Sequence, residues 1–247
     1  LLVFFHTIRL NPARRARIRA LQGDGRVLVW LWADGCNTGR ELSNAATVEL
    51  MRLPVRLTGR QVRLFMQPTV RLGRLPGLTA IAGYFGQSVS AREPRRGLAR
   101  TTAPALVVDG ADANTLATYL DWPEAGALAV FEHRHWTVVY SASPALNPEV
   151  LRALARKAGV HVVLDHNDQV FCTRRLFAVH ARSAGLRTLE LPHRSRLQEL
   201  LAGQTLPADK AVRVQVDAGQ TCIFRLLDEP PVDDGRPPPP MPAPPGG

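Results

Sequence analysis

The hydrophobic pattern is most informative at the start of the chain. Leu1 to Leu10 (LLVFFHTIRL) is an apolar run, Asn11-Pro12 opens an arginine-studded helical stretch from Asn11 to Leu21, and Arg26 to Ala33 (RVLVWLWA) is a second apolar run. Gly23-Asp24-Gly25 supplies the turn between them. Two buried strands joined by a helix predict a βαβ unit, hence a parallel sheet covered on both faces. The second run ends in Asp34-Gly35-Cys36-Asn37-Thr38-Gly39. That loop falls at the carboxyl end of the sheet, where open α/β folds hold a ligand or reactive group.

Further along, Ser43 to Leu53 predicts a helix capped by Ser43 or Asn44, with Val48, Leu50, Met51 and Leu53 as its apolar stripe. Val62 to Met66 and Ala105 to Asp109 read as strands, and Gly86 to Pro104 as a surface excursion. Ala127 to Phe131 and Thr137 to Ser141 predict a hairpin turned around Glu132 to His135. Asn147-Pro148-Glu149 starts a helix that runs to about Ala158 and stops at Gly159. Beyond it, His161 to Leu164, Gln169 to Cys172, Leu176 to Ala181, Arg187 to Leu191, Ala211 to Val216 and Thr221 to Leu226 are short apolar runs between turn residues. They predict a small antiparallel sheet, interrupted by a helical turn or two over Arg194 to Leu201. The expected division is an α/β domain over 1–160, a small β domain over 161–228, and a proline-rich, disordered or extended tail over 229–247.

Composition changes this picture in two places. The net charge of +10 suggests nucleic acid, but Lys157 and Lys210 are the only lysines and the arginines are dispersed. Arginine-for-lysine usage with abundant alanine, glycine and proline is the mark of a GC-rich genome, and no basic stripe with stacking aromatics is present, so neither nucleic acid nor membrane is an expected partner. No apolar run approaches the roughly 20 residues of a membrane helix. The chain opens inside a strand without an initiator methionine, so the expectation is the C-terminal part of a longer protein. Its compartment stays open, the cytoplasm being favoured.

The chemistry-bearing residues form no evident constellation. Cys36, Cys172 and Cys222 have no paired spacing, and the last two are expected as small buried residues in strands. Glu41, Glu49, Glu124, Glu132 and Glu149 include no visible acid–base pair, and Glu149 is explained as a first-turn carboxylate. His133 and His135 fall at the hairpin turn, and His161 and His166 lack a third ligand. No metal and no cofactor is therefore expected. Cys36 sits where a nucleophile elbow would place a thiol, but Asp34 lies two residues before it and would raise its pKa. Asp34 and Asn37 in this loop, with Trp122 and Trp136 elsewhere, are the ligand-binding candidates; Trp30 and Trp32 share a strand face by alternation and read as core.

RVLVWLWADG, SNAATVELMRLPVRL and WTVVYSASPALNPEVLRALARKAGVHV resemble the C-terminal portion of family-42-type β-galactosidases, and LFAVHARSAGLRTLELP through VRVQVDAGQTCIFRL is similar to the small β domain that ends them. The resemblance implies a flavodoxin-like, class I glutamine amidotransferase-like trimerisation domain with helices on both faces of a parallel sheet, followed by a small antiparallel β domain. It also implies a non-catalytic accessory region, a homo-oligomer (possibly a trimer), and an upstream catalytic barrel holding the catalytic glutamates. Where amidotransferases carry His-Pro-Glu, this chain has Asn147-Pro148-Glu149, and Cys36 lies two or three residues beyond the expected nucleophile position near Ala33. Two alternatives remain: a cysteine-dependent amidase built on Cys36, and a carbohydrate-binding module using exposed tryptophan.

Overall fold

The computed structural model describes residues 1–227 apart from 6, 33–34, 76–77, 79–80, 82, 84, 87–100, 103–104, 110–113 and 145. The expected excursion over 86–104, most of it, and the expected tail lie outside the described residues. The chain forms two compact units, Leu1–His161 and Val162–Gly247.

The first unit contains β1 (Leu2–Phe5), α1 (Pro12–Arg19), β2 (Arg26–Leu31), α2 (Asn44–Met51), β3 (Val55–Thr58), β4 (Val62–Arg63), β5 (Phe65–Pro68), β6 (Phe85–Gly86), β7 (Thr101–Thr102), β8 (Ala105–Val108), β9 (Thr115–Tyr119), β10 (Trp122–His133), β11 (Trp136–Ser141) and α3 (Pro148–Lys157). The predicted βαβ entry is present: β1 pairs β2 in parallel, and Phe4 stacks on its partner Trp30 with centroids 4.1 Å apart. The three helices begin as their sequences dictate. Asn11, Ser43 and Asn147 each accept a first-turn backbone N–H, and proline follows Asn11 and Asn147.

The flavodoxin-like expectation is overturned. Of the described residues 49% are in strands and 15% in helices, and the main sheet is mixed and curled. Its order is β1-β2-β11-β10-β9-β5-β6, with β8 joining β10 to β3. Among the described residues, parallel strand pairing is confined to β1–β2 and β2–β11; β3, β5, β6, β8, β9 and β10 make antiparallel pairs. The reason is connection length. Leu120-Asp121 alone joins β9 to β10, and Arg134-His135 alone joins β10 to β11, whereas a parallel pair needs a crossover of about a dozen residues.

The second unit is a five-stranded antiparallel sheet, β12 (Gln169–Cys172), β13 (Leu176–His180), β14 (Gly185–Glu199), β15 (Thr205–Val216) and β16 (Thr221–Leu226), in the order β12-β13-β16-β14-β15. Leu189, Leu191, Leu197, Val212 and Phe224 belong to its own core. Arg194 to Glu199 continues β14 rather than forming the expected helical turn. Cys172, expected buried, is exposed, while Cys222 is buried as expected. Among the described residues no helix is long and apolar enough to cross a membrane.

Candidate functional site

Two features of the first unit collect the residues raised by the sequence, at opposite ends of β2. The first is the loop past the carboxyl end of β2. Trp32 leaves the strand with φ 63°, a left-handed conformation rare for a bulky residue, and packs half-buried against the same core as Trp30. Beyond it, Gly35 donates to the Thr7 carbonyl (2.8 Å), Asn37 to Ile8 (3.0 Å), and Leu10 returns a bond to Asn37 (3.4 Å). The loop therefore extends the parallel pairing of the βαβ unit. Gly35 has φ 72°, and a Cβ there would lie 2.5 Å from Leu50 Cδ2.

Arg15 fastens this loop from beneath. Although charged, it is buried, because α1 puts it three residues before Ile18 on the inward face. Its guanidinium donates to three carbonyls: Leu10 (3.2 Å), Ala46 (2.9 Å) and Gly35 (2.5 Å). The helical spacing of Arg15 and Ile18 was the available signal for this role. Hydropathy concealed it.

Cys36 is 2% exposed and its carbonyl accepts from Ser43, the cap of α2, at 2.7 Å. A thiol acting as a nucleophile needs solvent or substrate access, so in this state the segment serves as a tether between β2 and α2. The Asn37 side chain accepts from Gly39 N–H at 2.7 Å and thereby shapes the same turn. Asp34 lies outside the described residues.

The second feature is a cleft of about 770 Å³ at the amino ends of β2 and β11. The two-residue turn after β10 sets His133 opposite Trp136 in the hairpin register, and the rings stack with centroids 4.3 Å apart and planes 17° from parallel. Burial lowers the His133 pKa below the usual histidine value; a backbone hydrogen bond with Arg52 opposes this and the Arg52 charge assists it. The ring is thereby favoured in its neutral form. Asp24 and Glu132 border the cleft. Each carboxylate also meets a cation, Asp24 with Arg26 at 3.0 Å and Glu132 with Lys157 at 2.5 Å. His135 lies at this rim, with Gly25 donating to its carbonyl at 2.8 Å.

Trp122 is elsewhere. It opens β10, with the Arg60 guanidinium 4.4 Å above its ring, and the 12 residues of that strand put roughly 35 Å between it and the His133 end. Trp122 and Trp136 thus cannot form one platform. Glu49 and Glu149, raised as possible acids, meet Arg19 (2.7 Å) and Arg152 (3.9 Å). Among the described residues no three His, Cys, Asp or Glu side chains converge as a metal site would require.

A β-rich unit entered through βαβ and followed in sequence by a five-stranded antiparallel unit is the class of fold these observations define. No protein-family profile matches the sequence, and no curated protein matches it. Solved structures do. The β-galactosidase from Bacillus circulans sp. alkalophilus is similar over 91% of this chain and 32% of its own, with TM-score 0.55 and 14% identity. The cold-adapted β-galactosidase from Rahnella sp. R3 is similar over 91% and 32%, with TM-score 0.52 and 13% identity. That of the Antarctic haloarchaeon Halorubrum lacusprofundi is similar over 90% and 30%, with TM-score 0.51 and 13% identity. The likeness is one of fold, and this chain spans about a third of the length of the proteins it matches.

Proposed function

We propose that this chain is a non-catalytic accessory region of a larger glycoside hydrolase of β-galactosidase type, acting in subunit assembly while a catalytic barrel carried by other sequence performs hydrolysis. The observation that carries the reading is the fold match to β-galactosidases over 91% of this chain and about 32% of theirs. The carboxylates support it: Glu49, Glu132 and Glu149 each face a basic side chain, whereas glycosidase chemistry needs two carboxylates facing one sugar across about 5–9 Å.

The test has two arms. The isolated chain, incubated with a nitrophenyl β-galactoside, is expected to release no nitrophenol, and light scattering is expected to find a multimer, a trimer being the first expectation. The coding DNA upstream of Leu1 is expected to encode an in-frame barrel with two glutamates at strand ends. Hydrolysis by the chain itself, or a nearby start codon with no barrel, would overturn the accessory reading. A monomer at tens of micromolar would overturn the assembly role.

A further inference from the structure

We infer that the cleft at the amino ends of β2 and β11 is a binding subsite for a neutral pyranoside sugar, with the Trp136 ring as its platform. The cleft volume, about 770 Å³, lies within the ordinary range of small-molecule sites. Gln22, Asp24, Glu132, His133, Arg134 and Trp136 line it, setting one large aromatic side chain among hydrogen-bonding groups of both kinds. A pyranose presents that combination in reverse, an apolar C–H face surrounded by hydroxyls that donate and accept. Aromatic rings with a negative π-face attract such C–H groups.

The electrostatics favour a neutral ligand over a cation. Asp24 and Glu132 already hold Arg26 and Lys157, so neither presents an uncompensated charge. A carboxylate has about four lone-pair sites, and those beyond the ion pair can accept from sugar hydroxyls. Gln22 spends its amide N–H on the Leu50 carbonyl at 2.6 Å, which orients the side chain and leaves its own carbonyl oxygen as a further acceptor. The stacked His133 backs Trp136 and restrains the ring, so little rotamer freedom remains to be lost on binding. A side chain at Gly23 or Gly25 would meet nothing within 4 Å, so the turn opposite leaves space.

The accessory reading above enters only in the choice of a galactoside as first probe. The intact chain would be titrated with methyl β-galactopyranoside and lactose, followed by tryptophan fluorescence and by the Trp136 indole N–H resonance. A saturable change with Kd of about 1–10 mM is expected, weakened at least tenfold in W136A and about threefold in D24N, and unchanged in W122A. The acyclic polyol sorbitol, which lacks a ring face, is expected not to bind. Because Trp136 also packs against the core, D24N decides the matter if W136A fails to fold. No saturable change up to about 100 mM, or binding equal in wild type and in every folded cleft variant, would overturn the subsite. An oligomeric chain that binds no sugar would sink this inference and leave the accessory role standing. Sugar binding by a chain with no upstream barrel would do the reverse.

Discussion

At the scale of single residues, the buried charges tie together segments distant in sequence, and little of this shows in the hydropathy. Arg15 satisfies three carbonyls from three separate segments. Replacing it with methionine keeps the apolar stem but leaves those oxygens without their donor. R15M is expected to lower the stability of the first unit by about 3 kcal/mol in urea unfolding, and R15K to recover only part of it, since an ammonium cannot span the same fork. In the second unit Arg187 and Asp168, both 2% exposed at the side chain, meet at 2.5 Å. Burial alone would raise the Asp168 pKa, but hydrogen bonds from Arg187 and the Arg182 backbone, with the charges of Arg187 and His166, bring it below the usual value. A carboxyl with a depressed folded-state pKa is stabilising above its unfolded value of about 3.9, and that contribution is lost as pH falls through the folded one. The expected outcome is a melting temperature for the second unit that drops from pH 5 to pH 3 in the wild type. D168A, already weaker by about 3 kcal/mol at pH 7, should show a flatter profile. A profile equally steep in both would count against the pair. The sequence contains these arginines in plain view among 31 basic residues; nothing local distinguishes the buried two except, for Arg15, its helical spacing from Ile18.

At the scale of elements, helix caps were legible and long strands were not. Asn11, Ser43 and Asn147 cap helices where their side chains predict it, because capping is a local interaction. β14 shows the opposite case. Its buried positions are Arg187, Leu189, Leu191, Ser195, Leu197 and Glu199, a period of two that survives a register shift between Glu190 and Ser195. Two of the last three are polar, so alternation fades over 194–199, and Leu197, Leu200 and Leu201 mimic helical spacing. Glu199 is buried because its carboxylate accepts from the Ala202 and Ile223 backbone N–H groups, partners that only the fold supplies. β10 begins at Trp122, five residues before the predicted Ala127, and runs through Pro123 and Gly126, residue types that weaken a strand. Gly126 is where the strand shifts between partners, opposite both Val108 and Thr118. A Cβ there would lie 3.0 Å from Val108 Cβ, 3.2 Å from Thr115 Oγ1 and 3.3 Å from the Val108 carbonyl. G126A is therefore expected to cost about 1 kcal/mol and G126V about 3 kcal/mol, read as lowered denaturation midpoints with helix content unchanged. A neutral G126V would show that the crossing relaxes freely.

At the scale of the whole molecule, the opening βαβ unit led to the wrong fold class because parallel pairing extends only from β1 through β2 to β11, while the other described pairings of that sheet are antiparallel. Connection length decides each pair separately, so one parallel pair does not fix the next. The two cores obey the same logic of separation. Trp30, Leu50, Tyr119 and Tyr140 belong to one buried cluster, and Leu189, Leu197 and Phe224 to another. Within the first, the Tyr119 and Tyr140 hydroxyls both donate to the Leu106 carbonyl, at 2.7 and 2.9 Å, cross-linking β8, β9 and β11. Within the second, β13 pairs β16 across the whole of Leu176 to His180, joining strands 40 or more residues apart in sequence without calling on the first unit. A unit with its own core and its own closed set of pairings can unfold on its own terms. Residues 162–227 expressed alone are therefore expected to give a cooperative transition with strand-type circular dichroism, despite the marginal core of a chain that short. The full chain should show two transitions, of which D168A shifts one and R15M the other. A single transition moved equally by both substitutions would mean that the units unfold as one cooperative body.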